Sequence, residues 1–258
     1  MHRLESPAVA SEAEIRLGTS AFTAAGWEEA FYPAGMKPAE YLTYYATKFN
    51  TVEVDSTFYR TPAISTVKGW YAKTPPGFLF AAKVPQIITH EKVLADCDED
   101  FQLFLKAMDC LGEKLGPLLL QFGYFNKGAF AGVNNFLARL VPPFLEALRE
   151  RGMALALIDQ AWMPGPKQLF ARFDPITADF AYVRWLGDRK GIELKTKIWN
   201  KVIEDRSAEL SNWAEVLKKV SERRIQILAF ANNHYAGFGP GTLEEFRKLW
   251  NVGTAKKI

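Results

Sequence analysis

The feature that most constrains the fold of this chain is a regular alternation of short apolar segments with amphipathic ones, from residue 15 onwards. Residues 78–84 (FLFAAKV) and 225–230 (IQILAF) are typical of the apolar segments, and they predict buried strands. Tyr41, Leu42 and Tyr45 recur at helical spacing between two such segments. Strands that are apolar on both faces and alternate with helices predict an α/β fold with parallel strands.

The length of the chain favours one TIM-barrel-like domain. The chain has 258 residues with no evident linker, and an α/β barrel takes about 250 residues. A doubly wound open sheet usually carries a glycine fingerprint after its first strand, and GTSAFTAAG matches that fingerprint poorly. We therefore predict a single domain over residues 15–258, preceded by a polar, disordered N-terminal tail over residues 1–14.

Composition narrows the classes of protein. Charged residues make up 24% of the chain and the net charge is +3, which is too small to indicate a nucleic-acid or membrane partner by itself. No segment approaches the roughly 20 apolar residues of a membrane helix. Cys97 and Cys110 are predicted on one helix, roughly 20 Å apart, so they cannot pair. We therefore expect a reducing, cytoplasmic location.

Residues 49–60 (FNTVEVDSTFYR) contain the main anomaly of the sequence. Thr51, Val52 and Val54 indicate a buried strand, yet Glu53 and Asp55 alternate with them. Two carboxylates at this spacing point to the same face, and burying them is costly unless a cation or donor meets them. The pair therefore predicts a site.

Other polar residues stand at or just after predicted strand ends, and the working face of such a barrel lies at the C-terminal ends of its strands. We expect catalytic roles for Glu53, Asp55, His90 and His234. We expect substrate-binding roles for Lys83, Arg184, Gln121, Asn232, Asn233, Tyr235 and Ser20. Lys83 and Arg184, with the basic connection that follows Arg184, predict an anionic ligand such as a phosphate or carboxylate.

Simpler interpretations stay open. Lys83 and Arg184 could form ion pairs with the two acids that only fix the strands. Asn232 and Asn233 could be turn residues that bond their own backbone. A divalent metal ion is a further alternative, held by the two carboxylates with Asp159, His90 and His234. Because no spacing matches a metal motif, no metal ligand or other cofactor is assigned.

A series of short motifs resembles the YecE-like proteins, the family of unknown function numbered 72. They are GTS at 18–20, FYP at 31–33, FNTVEVDSTFYR at 49–60, FAAKVP at 80–85, THE at 89–91, LLQF at 119–122, TADFAYVR at 177–184 and FANNHYAG at 230–237. The resemblance implies a TIM-barrel-like fold and no established family-wide activity.

The chain departs from that family in one region. The resemblance implies a further strand, with a Glu-x-Arg-like signature, between strand four and the strand ending at Asp159. Here Pro142 and Pro143 join two helical segments, so the residues predict about seven strands rather than the eight of a closed barrel. We expect that strand to be missing or irregular.

Three hypotheses for function follow. The first is a hydrolase or lyase acting on a phosphorylated or other anionic substrate, with a carboxylate as general base and a histidine as general acid. The second is a nucleic-acid-binding or phosphodiester-cleaving protein that uses the basic connection and surface aromatic residues. The third is a non-catalytic anion-binding or scaffold protein. The oligomeric state is not predicted.

Overall fold

The computed structural model describes residues 13–122 and 143–251. Its strands are β1 (Ile15–Thr19), β2 (Thr51–Val54), β3 (Leu79–Lys83), β4 (Leu115–Leu119), β5 (Ala156–Gln160), β6 (Phe180–Gly187) and β7 (Gln226–Ala231). Its helices are α1 (Tyr41–Lys48), α2 (Ile64–Ala72), α3 (Asp98–Met108), α4 (143–150), α5 (Pro166–Arg172), α6 (Arg189–Lys195), α7 (Ser207–Glu222), α8 (Asn233–Ala236) and α9 (Gly239–Asn251). The predicted alternation of strands and helices is confirmed.

The strands pair in parallel in two sheets. One sheet has the order β1-β7-β6-β5 and the other has the order β2-β3-β4. Parallel neighbours require a crossover connection, and the helices between successive strands supply it. This arrangement is that of an α/β barrel.

The two sheets meet where β1 passes β2. A Cβ atom on Gly18 would lie 2.2 Å from the carbonyl oxygen of Thr51, so only glycine allows the two backbones to come this close. The hydroxyl of Tyr45 accepts a hydrogen bond from the backbone N–H of Thr19 at 2.8 Å and donates to the Thr51 carbonyl at 3.2 Å. A tyrosine from α1 therefore joins the two strands at this seam.

The opposite edges of the two sheets, β4 and β5, do not pair within the described part of the chain. The predicted missing or irregular strand falls largely on residues 123–142, which lie outside the described residues. The described strands therefore form a TIM-barrel-like arrangement that is not closed, as the sequence predicts.

Alternation along each strand separates two apolar regions. Ala81, Leu119 and Phe230 pack together inside the barrel. Val52 and Val54 instead belong to the larger core between the strands and the helices. Because side chains alternate along a strand, Glu53 faces the barrel interior.

Two boundaries differ from the sequence prediction. Residues 1–12 of the predicted tail lie outside the described residues, but Ser221 Oγ donates to the carbonyl of Ala13 at 2.9 Å. The predicted loop after β3 contains a π-helical turn, Ile87–Glu91. None of the described helices is long and apolar enough to cross a membrane.

Candidate active site

The centre of the candidate site is the carboxylate of Glu53, which is fully buried in the barrel interior. Its Oε1 accepts hydrogen bonds from Nη2 and Nε of Arg184 at 2.7 and 3.2 Å. Its Oε2 accepts from the hydroxyl of Tyr182 at 2.6 Å. A buried carboxylate is stable only when cations and donors satisfy it. β6 supplies both groups, because Tyr182 and Arg184 are two residues apart and face the same side of the strand.

Arg184 is itself fully engaged in this interior. Its exposure is 3%, and its Nη1 donates to Oε1 of Gln121 at 3.0 Å. Burial alone would lower the pKa of Arg184, but the neighbouring Glu53 and Asp55 outweigh burial and raise it. Arg184 is therefore a fixed cation that pairs with Glu53 and positions Gln121.

Asp55 is the member of the group that reaches solvent. β2 ends at Val54 and Asp55 begins a 3-10 turn, so its side chain lies at the rim and is 30% exposed. Its Oδ1 is 3.4 Å from Nζ of Lys83 and 3.7 Å from Nη2 of Arg184. Oδ1 is buried and has no hydrogen-bond partner among the described residues.

The charge environment of Asp55 changes its acidity. Burial and the neighbouring Glu53 carboxylate raise the pKa of Asp55 to about 7, although Lys83 and Arg184 act in the opposite direction. A like charge at short range makes it costly for both carboxyl groups to ionise together. Lys83 and Arg184 do not cancel the effects of burial and of Glu53, so the pKa of Asp55 stays raised.

Lys83 completes the rim on the side of β3. Its residue exposure is 9%, and its Nζ lies 4.5 Å from the ring centroid of Phe58. The ring of His90 packs against the ring of Phe58, with centroids 5.0 Å apart, and His90 Nδ1 is 2.9 Å from Thr89 Oγ1. His90 and Lys83 therefore both contact Phe58.

Ser20 contributes an unsatisfied hydroxyl. It follows β1, is 3% exposed, and its Oγ has no hydrogen-bond partner within the described chain. Alternation from Gly18 puts Ser20 on the interior side of β1. Buried polar atoms without partners are uncommon and require an explanation, such as a bound ligand or water.

The run after β7 serves mainly local structure. Oδ1 of Asn232 accepts from the backbone N–H of His234 at 2.9 Å and lies 2.6 Å from its Nδ1, so Asn232 caps α8. Oδ1 of Asn233 accepts from Nε1 of Trp27 at 3.3 Å and from the N–H of Gly239 at 2.9 Å. These bonds match the turn-residue interpretation of the two asparagines.

His234 and Tyr235 point away from the Glu53 carboxylate. Nε2 of His234 is 3.0 Å from Oε1 of Glu193 on α6, and burial lowers the pKa of His234 below its ordinary value. The hydroxyl of Tyr235 donates to Oδ2 of Asp159 at 3.0 Å, and Trp213 Nε1 donates to the same oxygen at 2.6 Å. Neither side chain forms a hydrogen bond or an ion pair with Glu53 or Asp55.

The proposed metal ligands do not converge. Asp159 shares a face of β5 with Leu157, which belongs to the outer core, so it points away from the interior. Within the described residues, no group of three or more His, Cys, Asp or Glu side chains is arranged to hold a metal ion.

Several of the basic and aromatic side chains that suggested a nucleic-acid partner are paired with acids or buried. In the basic connection, Lys195 pairs with Glu204 at 2.8 Å and Lys197 lies 3.7 Å from Glu193. Trp27 and Trp185 are 1% and 0% exposed, so they cannot stack on bases.

Tyr182 and Phe58 are the two contact residues that sequence reasoning missed. Tyr182 has a visible signal, because a polar tip two residues before Arg184 on a buried strand faces the same side. Phe58 has no such signal, since its place over Lys83 depends on the 3-10 turn after β2.

The arrangement suits proton transfer. Glu53 is a carboxylate fixed in the interior by its ion pair with Arg184. Asp55 is a rim carboxyl with a pKa near neutrality. A group with such a pKa can give and take a proton at neutral pH, as general acid–base catalysis requires.

Comparison with known proteins agrees with this fold. A family model described as "Protein of unknown function DUF72" matches residues 16–257. The UPF0759 protein YecE of Escherichia coli strain K12 is 36% identical over 80 residues, which are 31% of this chain and only 29% of that relative.

Two solved structures are similar over most of the chain. A DUF72 family protein from Enterococcus faecalis V583 has a TM-score of 0.68 at 21% identity, over 92% of this chain and 96% of that chain. A DUF72 family protein from Thermotoga maritima MSB8 has a TM-score of 0.67 at 24% identity, over 94% and 99%. At these identities the likeness shows the fold alone. The resemblance predicted from the sequence motifs is confirmed by the family match, and the chain belongs to the DUF72 family.

Proposed function

We propose that the protein is an enzyme, a hydrolase or lyase that performs general acid–base catalysis at the barrel rim, with Asp55 as the group that transfers the proton. The observation that carries this proposal is the buried Oδ1 of Asp55, which has no hydrogen-bond partner among the described residues while it lies beside a second carboxylate. A carboxyl group with a pKa near neutrality, on a side chain that is 30% exposed at the rim, fits this role.

The remaining rim residues support a small anionic substrate. Arg184 is committed to Glu53 and Gln121, so Lys83, with a looser contact of 3.4 Å to Asp55, is the cation left to meet a ligand. When Asp55 is protonated, two cations face one carboxylate, and the rim has an excess positive charge. A carboxylate or phosphate group would therefore bind to Lys83 most favourably while Asp55 carries a proton. Ser20 offers a hydroxyl for the same ligand.

The nucleic-acid alternative has less support. The ion pairs of the basic connection reduce the charge available to a phosphate backbone, and nonspecific binding depends on such charge. A cytoplasmic location remains part of the proposal, supported by the two free cysteines, Cys97 and Cys110.

Turnover of a panel of p-nitrophenyl substrates, namely the phosphate, sulfate and acetate esters and several glycosides, tests the proposal. The wild type, Asp55→Asn and His234→Asn are compared, the last as a control at a different strand end. We expect Asp55→Asn to lose about 100-fold or more in rate, and His234→Asn to keep the wild-type rate. Equal rates in the wild type and Asp55→Asn would contradict a catalytic Asp55.

Calorimetric titration with inorganic phosphate and acetate tests the non-catalytic alternative. Binding that requires Lys83 without turnover of any ester would favour an anion-binding protein. Absence of both binding and turnover would remove the anionic substrate from the proposal.

A further inference from the structure

A second concave site lies outside the Glu53 and Asp55 group. A cavity of about 540 Å³ opens between residues 56–66, α2 and α3. This volume is within the range of small-molecule sites, about 300–1,000 Å³. Glu53, Asp55, Lys83 and Arg184 do not line it. The cavity is therefore not lined by the charged acid–base group, although Ser56 and Thr57, which follow Asp55, belong to its lining.

The polar side of the cavity is cationic. Arg60 and Lys106 line it and are exposed, and neither side chain has a hydrogen bond or an ion pair with the described residues. None of the described residues that line the cavity is acidic. The two positive charges come from different elements, Arg60 from the segment before α2 and Lys106 from α3. They are uncompensated and face one space, which favours an anionic group.

The other side of the cavity is apolar. Trp70 and Ala107 line it together with Leu103, which is 61% exposed, and Ile64, which is 41% exposed. Covering leucine and isoleucine with a ligand is favourable, roughly in proportion to the apolar area removed from water. An apolar wall beside unpaired cations matches a ligand with an apolar body and an acidic group. The hydroxyls of Thr61 and Thr66 can donate to that group.

We propose that this cavity binds a small organic anion, with its ring or short aliphatic body against Trp70 and Leu103. Its carboxylate, sulfate or phosphate group lies between Arg60 and Lys106. The site is independent of catalysis at Asp55, so either proposal can fail without the other.

Fluorescence titration with 8-anilinonaphthalene-1-sulfonate tests the site, because this probe joins an aromatic body to one sulfonate. We expect saturable binding by the wild type. Arg60→Met and Lys106→Met keep an unbranched apolar stem and remove the charge, and each is expected to weaken binding by about two- to five-fold, as for exposed ion pairs. Lys68→Met is the matched control, since Lys68 is an exposed lysine on α2 that does not line the cavity.

Thr66→Phe tests the location of the probe. Thr66 is exposed on α2 and lines the cavity, so phenylalanine is expected to narrow the cavity and change the affinity for the probe without loss of thermal stability. Thermal midpoints equal to that of the wild type confirm that each variant is folded. An unchanged affinity in Thr66→Phe, or an affinity that weakens equally in Lys68→Met and Arg60→Met, would overturn the proposal.

Discussion

Two sets of polar residues at strand ends, one around Glu53 and one after β7, look alike in the sequence and behave differently in the structure. In the first, Glu53, Tyr182 and Arg184 come from strands far apart in the chain and meet inside the barrel. In the second, Asn232 bonds the next turn of the chain and Tyr235 bonds an aspartate of the outer layer. Position at a strand end is therefore not enough to place a side chain in the barrel interior. A side chain joins the interior only if it lies on the inward face of the strand and its polar atoms are not claimed by the following turn.

The largest expected difference between the two regions is in stability. Glu53→Gln leaves Arg184 buried without its carboxylate, and breaking such a buried pair costs about 3–5 kcal/mol. Urea unfolding measures the loss. Asp174→Asn is the matched control, because Asp174 and Arg223 form a pair at 2.9 Å in which both side chains are 46% exposed. The control is expected to cost about 0–1 kcal/mol. Similar losses in both variants would mean that the Glu53 pair is not buried as described.

The next comparison removes one hydroxyl from each region. Tyr182 and Tyr235 are both buried, and each donates to a carboxylate, at 2.6 and 3.0 Å. Tyr182→Phe and Tyr235→Phe are each expected to lower the free energy of unfolding by about 1.5–3 kcal/mol. Only Tyr182→Phe is expected to change the pKa of Asp55, because Tyr182 donates to Glu53 and the Glu53 carboxylate raises that pKa. If Tyr235→Phe moves the pKa of Asp55 equally, the two regions are not separate.

A third prediction concerns pH. The pKa of Asp55 is about 7 in the folded protein against an ordinary 3.8, so the native state holds a proton that the unfolded chain has lost across this interval. The stability from this group is therefore fully present below pH 3.8 and lost as the pH rises to about 7. Because the Asp55 side chain is 30% exposed, we expect solvent screening to limit this contribution to the free energy of unfolding to about 1–2 kcal/mol.

Free energies of unfolding of the wild type and Asp55→Asn, measured over a series of pH values across this interval, check the pH prediction. The difference between the two proteins is expected to change steadily toward a relatively less stable wild type as the pH rises. A difference independent of pH would contradict a raised pKa at Asp55.

The smallest effect is expected at His234. Its side chain and that of Glu193 are 21% and 29% exposed, so His234→Asn should cost less than about 1 kcal/mol. Because burial lowers the pKa of His234, its contribution is present above pH 6.5, the ordinary value, and falls as the pH decreases. Urea unfolding at two pH values checks this. A large loss, or a shifted pKa of Asp55, would join His234 to the acid–base group.

The sequence predicts the fold and part of the site for definite physical reasons. Alternating apolar strands and helices leave few alternatives to parallel α/β structure, and the acids in and just after β2 require cations, which Lys83 and Arg184 supply. Asp159 looks like a rim residue in the sequence. In the structure β5 runs on to Gln160, so Asp159 is a strand residue on the outward face.

The cavity between α2 and α3 could not be predicted in this way. It depends on how the two helices pack and on the path of residues 56–66, and no periodicity in the sequence encodes either. The contact between the ring of Phe58 and Lys83 could not be predicted either, because it depends on the turn after β2. Contacts that alternate along strands are predictable, and contacts set by turns and helix packing are not.

The most direct test of the account is the titration of Asp55 followed through its carboxyl carbon by nuclear magnetic resonance. Glu53→Gln removes the neighbouring carboxylate that raises the pKa, and so serves as the comparison. The account predicts a wild-type midpoint of about 7 that falls in Glu53→Gln. A wild-type midpoint near 3.8 would contradict it, because Asp55 would then be an ordinary rim carboxylate without a proton to transfer.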